Sequence, residues 1–212
     1  MKGIIFDMDG LMIDSEKLYF ATGREIAASF GKEVKDETFW RMMGRSPVDS
    51  ITIFVNEVGL PISVTETLAE RDRIMAHKLA TELEPMPGLM DVLKAFQGRY
   101  RMAIATGSPM KFLDVVVDQL QLTSYFDVLQ SSDEIKNGKP HPEIYEKAAT
   151  LLDLTTNECC VLEDSSNGAL AGKRAGCYVI AVPNEHTREQ DFSFVDFLAK
   201  DLREVATHLA GL

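Results

Sequence analysis

Two aspartates one residue apart, Asp7 and Asp9, follow the short apolar run Gly3-Ile4-Ile5-Phe6 and precede Gly10. The run reads as a buried strand. Alternate residues of a strand share a face, so both carboxylates leave its tip in the same direction. Like charges that close repel by about 4 kcal/mol at an effective dielectric near 20. A hard divalent cation with oxygen ligands offsets such repulsion, so a metal-assisted site at the end of the first strand is expected.

Three later segments add chemistry at the ends of apolar runs. Met102-Ala103-Ile104-Ala105 ends in Thr106-Gly107-Ser108, a hydroxyl followed by the N–H groups of a new helix, a combination that suits an anionic oxygen. Lys139 sits between Gly138 and Pro140 in a loop, and Cys160-Val161-Leu162 ends in Glu163-Asp164-Ser165. One site would gather Asp7, Asp9 and Asp164 around a cation, with Glu163 nearby, while Thr106 and Lys139 face an anion. His77, His141, His186 and His208 show no metal-ligand spacing.

These segments need a scaffold that brings them to one edge. From Ser15 to about Glu84 the pattern is helical. Ser15 is expected to cap a helix with Leu18, Tyr19, Ile26 and Phe30, and a short segment around Phe39, Trp40 and Met43 ends at Gly44. Ser46-Pro47 opens a helix that runs to Gly59, and a fourth begins near Thr65. Trp40 and the methionines beside it are expected in the core of this bundle. Glu84-Pro85-Met86-Pro87-Gly88 is a stiff return linker. Beyond it, helix 88–97, strand Arg101–Ala105, a helix capped at Ser108-Pro109, strand Asp127–Gln130 and helix 142–153 alternate. Strand Cys159–Glu163, a helix through Ala169 and Ala175, strand Tyr178–Val182 and a C-terminal helix complete the chain.

Such alternation predicts an α/β fold, a Rossmann-like parallel sheet with helices on both faces, carrying an inserted all-α bundle. The expected division is a core of residues 1–14 and 85–212 and a helical cap of residues 15–84. Ligands of such sheets bind beyond the carboxyl ends of the strands.

Composition narrows the class of function. The chain has 212 residues, 45% hydrophobic and 26% charged, with a formal net charge of −11. That balance argues against a nucleic-acid binder, which needs a basic face. Cys159, Cys160 and Cys177 form no disulfide framework and read as buried thiols of a reduced compartment. No stretch suits a membrane span, and the charged N-terminal run is no signal peptide. A cytoplasmic monomer is expected.

The ordered set Asp7-x-Asp9-Gly10, Thr106, Gly138-Lys139-Pro140-x-Pro142 and Glu163-Asp164 resembles the four motifs of the haloacid dehalogenase-like (HAD) hydrolase superfamily. The insertion after the first motif resembles the helical cap of its subfamily I. The resemblance implies a magnesium-dependent phosphatase of a small phosphorylated metabolite, a sugar or nucleoside phosphate. It implies Asp7 as the nucleophile that becomes an aspartyl-phosphate and Asp9 as general acid and base. Asp7, the Asp9 carbonyl and Asp164 would hold Mg²⁺, with Glu163 in the outer shell. Thr106, Gly107, Ser108 and Lys139 would bind the phosphoryl group.

The chemistry asks for the same residue types. Phosphoryl transfer needs positioning and charge neutralisation above all, and a carboxylate nucleophile divides one hard hydrolysis into two easier steps. The superfamily's dehalogenases lack Asp9 and its phosphonatases replace it, so this residue favours phosphate esters. Tyr19, Arg45 and Lys78 are the cap residues expected to meet a leaving group. Beta-phosphoglucomutases also resemble this chain and supply the alternative activity, but they carry a histidine at the place of Tyr19. Their cap arginine falls near Pro47.

Overall fold

The computed structural model describes residues 1–43 and 45–211. Gly44, the expected end of the second helix, lies outside the described residues. Contacts divide the chain into two units, Met1–Asp14 with Leu83–Leu212 and Ser15–Glu82.

The first unit is built on β1 (Gly3–Phe6), whose four residues are all buried. A strand covered on both faces reads as a continuous apolar run rather than an alternating one. It pairs in parallel with β2 (Arg101–Ala105) on one side and β4 (Cys159–Glu163) on the other. With β3 (Val128–Gln130), β5 (Tyr178–Ala181) and β6 (Phe197–Leu198) the sheet order is β3-β2-β1-β4-β5-β6. The chain moves outward from β1 first to β2 and later to β4. The tips of β1 and β4 therefore flank the point where the order reverses, which is where such sheets bind ligands.

Around the sheet lie α5 (Leu89–Phe96), α6 (Met110–Gln119), α7 (Glu143–Leu151), α8 (Ser166–Ala175) and α9 (Leu202–Leu209). One core cluster packs Ile5, Ala103, Tyr145, Val161, Ala171 and Val179 together. The outgoing and returning chain segments also meet in this unit, where Met86 N donates to the Met12 carbonyl at 2.8 Å.

The second unit holds α1 (Ser15–Ser29), α2 (Asp36–Met42), α3 (Pro47–Val58) and α4 (Val64–Thr81). The side chain of Ser46 caps α3 by accepting from Asp49 N, and Gly59 ends it at φ 68°. Ser63 and Glu66 form a capping box at the start of α4. The core of the bundle stacks Phe20 on Phe39 at 4.6 Å and Phe39 on Phe54 at 6.3 Å between ring centres. Gly23 makes the approach of α1 to α2 feasible, because a Cβ there would stand 2.5 Å from the Phe39 ring.

Several local expectations need correction. Ser15 is the first residue of α1 rather than a cap before it. Trp40 is 60% exposed, because α2 turns Phe39 inward and leaves its neighbour on the outer face. Ser108 does not cap α6: its hydroxyl is committed elsewhere, and Asp133 Oδ2 takes the Met110 N–H at 3.0 Å instead. The short edge strand β6 has no counterpart in the sequence reading. All three cysteines are free and buried. Burial pushes the thiols of Cys159 and Cys177 up to about 11 and about 12, which leaves both uncharged and inert. Among the described residues no helix is long and apolar enough to cross a membrane.

Removing the Phe54 ring by Phe54→Ala should cost about 3–5 kcal/mol in the helical unit. Denaturant unfolding followed by circular dichroism checks this, and an unchanged transition would contradict the packing described.

Candidate active site

The site forms at the carboxyl edge of β1, β2 and β4, where each strand stops and its next residues turn outward. Asp7 follows β1 directly and is 5% exposed. Its N–H donates to the Leu162 carbonyl at 2.9 Å, which continues the strand pairing and fixes where the side chain begins. Lys139 Nζ donates to Asp7 Oδ1 at 2.5 Å, to Glu163 Oε1 at 2.7 Å and to the Ala105 carbonyl at 3.3 Å.

Lys139 can do this because its loop is pinned on both flanks. Glu143, at the start of α7, accepts from the N–H groups of Lys136 and Asn137 at 2.8 and 3.0 Å. Arg174 Nη1 donates to the Pro140 carbonyl at 2.8 Å.

Glu163, at the end of β4, is engaged on both oxygens. Oε1 accepts from Lys139 and from the Tyr145 hydroxyl at 2.8 Å. Oε2 accepts from Ser165 N and Oγ, both at 3.0 Å. Gly168 in α8 leaves room for it, since a Cβ there would sit 1.7 Å from Glu163 Oε1. Asp164, next in the chain, is 3% exposed. Asn184 Nδ2 donates to its Oδ2 at 2.9 Å. Asp7, Glu163 and Asp164 each bring an oxygen within 4.8 Å of the others.

Asp9 points to a different part of the same edge. Its Oδ2 accepts from the hydroxyls of Thr106 and Ser108, both at 2.8 Å. The Thr106 oxygen in turn accepts from Ser108 N at 2.9 Å. Gly107 between them has open space where a Cβ would stand.

The electrostatics follow from burial. Burial holds the Asp7 carboxyl well above the usual carboxylate range; Lys139 opposes this, while the charges of Glu163 and Asp9 add to it. For Lys139, burial disfavours the charged form, but Asp7 and Glu163 outweigh it and hold the ammonium well above the ordinary lysine value. Burial also works against ionised Glu163, yet Lys139 and the hydrogen bonds from Ser165 and Tyr145 bring it below the ordinary value. Lys139 and Glu163 thus form a settled ion pair. Asp7 and Asp164 leave a surplus of carboxyl groups over the one ammonium, and burial is the main reason the Asp7 value is raised.

A divalent cation fits that surplus. The nearby donors are carboxylate oxygens, which suit a hard cation such as Mg²⁺ rather than a soft metal.

Tyr19 and Arg45 belong to the helical unit and line a cavity there of about 270 Å³, together with Phe20, Phe39, Phe54 and Pro47. Lys78 pairs with Glu25 at 3.1 Å and Glu82 at 3.3 Å, so its charge is taken up within that unit. Two residues at the core site escaped the sequence reading, Tyr145 and Asn184. Asn184 stands just beyond β5, a place the strand-end rule points to. Tyr145 has no local signal, because only the packing of α7 brings its hydroxyl to Glu163.

A family model for haloacid dehalogenase-like hydrolases matches residues 4–182, which include Asp7, Asp9, Thr106, Lys139, Glu163 and Asp164. The chain belongs to that family. Among the relatives of this HAD hydrolase, a phosphorylated carbohydrates phosphatase of Thermotoga maritima is 34% identical over 178 residues, 83% of this chain and 82% of that protein. The Escherichia coli fructose-1-phosphate phosphatase YqaB is 30% identical over 181 residues, 85% of this chain and 95% of that one. A solved Thermotoga maritima structure bearing the provisional name beta-phosphoglucomutase is 28% identical, with a TM-score of 0.86 over 100% of both chains.

The crowding around Glu163 has a measurable consequence. Alanine normally stabilises a helix interior over glycine by roughly 1 kcal/mol, but Gly168→Ala should destabilise the protein by about 1–3 kcal/mol through overpacking. Gly138→Ala, where the added carbon meets open space, should change stability by no more than about 0.5 kcal/mol. Urea midpoints of the two variants give the comparison, and equal values would contradict the geometry.

Proposed function

We propose that the chain is a Mg²⁺-dependent phosphomonoesterase that hydrolyses a small phosphorylated metabolite, a sugar or nucleoside phosphate, through an aspartyl-phosphate. One observation carries the reading: Lys139 bridges Asp7 to Glu163 while Asp164 stands within reach of both, next to an Asp9 held by two hydroxyls. The two phosphatase relatives support the substrate class by their own names.

Asp7 is the proposed nucleophile. An Asp7 oxygen attacks phosphorus, the bond from phosphorus to the leaving oxygen breaks, and Asp9 donates a proton to the departing alkoxide. Water then attacks the phosphoaspartate, Asp9 takes its proton, and inorganic phosphate leaves with Asp7 regenerated. Positioned proton transfer of this kind contributes roughly 10²–10⁴-fold. Thr106 and Ser108 orient Asp9 through their hydroxyls, and the Gly107 N–H between them is the proposed donor to a phosphoryl oxygen. Lys139 neutralises the transferring group and holds Asp7. Asp7, the Asp9 carbonyl and Asp164 would hold Mg²⁺, which stabilises the charge that develops on the phosphoryl group. The four bonds on Glu163 support a role in fixing Lys139 rather than in holding the metal. Tyr19 and Arg45 are proposed to read the leaving group, and the enzyme is proposed to act as a cytoplasmic monomer.

A second reading, a sugar phosphomutase, has the likeness to the beta-phosphoglucomutase-named structure in its favour. It would pass the phosphoryl group to sugar instead of water.

A screen of sugar and nucleoside phosphates, measuring free phosphate beside isomerised sugar phosphate, should find phosphate as the dominant product. Isomer without phosphate would overturn the phosphatase reading. Asp7→Asn should abolish turnover with the fold intact by circular dichroism. Asp9→Asn should lower kcat on an alkyl phosphate by roughly 10²–10⁴-fold; equal rates would remove Asp9 from the chemistry. Chelation should stop turnover, and added Mg²⁺ should restore it.

A further inference from the structure

The loop beyond β5 supplies a clamp for the site. Asn184 is half-buried, and each atom of its amide is placed by a partner. Oδ1 accepts from His186 N at 2.8 Å and from Thr187 N at 3.2 Å, a turn closed on its own backbone. The buried Thr187 tightens this turn, because its hydroxyl accepts from Asn184 N at 3.0 Å. Backbone N–H groups cannot accept, so the carbonyl oxygen of the amide must face them and the NH₂ must face the other way.

The NH₂ therefore points at the acidic edge with both hydrogens committed. One goes to Asp164 Oδ2 at 2.9 Å and the other to the Gly10 carbonyl at 3.1 Å. These acceptors come from opposite sides of the reversal point, the loop after β1 and the loop after β4. Gly10 lies at φ 80°, and a Cβ on it would meet Asp164 Oδ2 at 2.4 Å and Asn184 Nδ2 at 2.7 Å. Glycine at this position lets the three groups close on one another.

We infer that Asn184 is a positioning residue for the metal site: its amide fixes the rotamer of Asp164 and ties the Asp9-Gly10 backbone to it. A carboxylate must sit in one orientation to ligate Mg²⁺, which tolerates little departure from octahedral geometry. Without the amide, Asp164 turns more freely and the two loops separate, so binding the ion costs more ordering. Partners of ligating carboxylates elsewhere are worth about 10–100-fold in metal affinity. The amide of Asn184 is engaged by protein partners, so it acts through Asp164 and the Gly10 backbone.

The inference rests on the proposed Mg²⁺ site, and the test separates the two. Calorimetric titration of the full chain with MgCl₂ alone, in the absence of substrate, is carried out on wild type, Asn184→Ala and Asn184→Ser. Serine retains a hydroxyl that can close the turn but is too short to reach Asp164. Wild type that takes up no Mg²⁺ would refute the metal site itself. If wild type binds, both variants should show a Kd raised about 10–100-fold. Their activity should recover toward wild type as Mg²⁺ is raised, with substrate KM at saturating Mg²⁺ within threefold. A Kd within threefold of wild type in Asn184→Ser would overturn the inference while leaving the site intact. Loss of folded protein in both variants would assign Asn184 to the loop's architecture and overturn it as well.

Discussion

Several carboxylates are buried at one edge of a parallel sheet, and a single ammonium stands among them. Lys139 reaches Asp7 and Glu163 at 2.5 and 2.7 Å. Both acids are almost wholly removed from water, so neither can rely on solvent to hold its charge. Separating Glu163 from Lys139 would leave an uncompensated buried charge, which is far more costly than losing a surface pair. The rest of the core can be read as the apparatus that keeps these groups in place. The Lys139 loop is pinned by Glu143 and Arg174, Glu163 is held by Tyr145 and Ser165, and Asp9 is held by Thr106 and Ser108.

The sheet makes this arrangement economical in chain length. Parallel strands deliver all their carboxyl ends to one edge, so residues far apart in sequence become neighbours without long excursions. Lys139 and Asp7 are 132 positions apart, and Thr106 and Asp9 are 97 apart. The glycines at the edge serve the same end. Gly168 yields its side-chain volume to Glu163, and Gly10 yields its own to Asp164 and Asn184. A negative cluster held this rigidly cannot relax by moving apart. That rigidity gives a divalent cation something to gain by binding.

Much of this was legible in the sequence because it is written locally. β2 and β4 span Arg101–Ala105 and Cys159–Glu163, the bounds expected from the apolar runs at their centres. The start and stop of α3 follow from Ser46-Pro47 and Gly59. What escaped was non-local. Ser108-Pro109 reads as a helix cap, yet the Ser108 hydroxyl is drawn to Asp9 and Asp133 does the capping from a distant turn. Trp40 reads as core by its type, and only the facing of Phe39 toward Phe20 and Phe54 shows why it is left outside. Tyr145 and Asn184 carry ordinary local signals, a helix residue and a turn residue. Their polar ends matter only through partners that no periodicity reveals.

The central claim, that the acidic edge carries more negative charge than Lys139 cancels, is tested most directly by thermal unfolding of the full chain. Scans are compared in MgCl₂ and in sodium chloride of matched ionic strength. At a Mg²⁺ concentration a hundred times its Kd, a bound ion adds about 2.7 kcal/mol, or roughly 5–11 °C in Tm for a chain of this size. The expected result is a rise of that order in MgCl₂ and little in sodium chloride. Coincident transitions in the two salts would contradict the account.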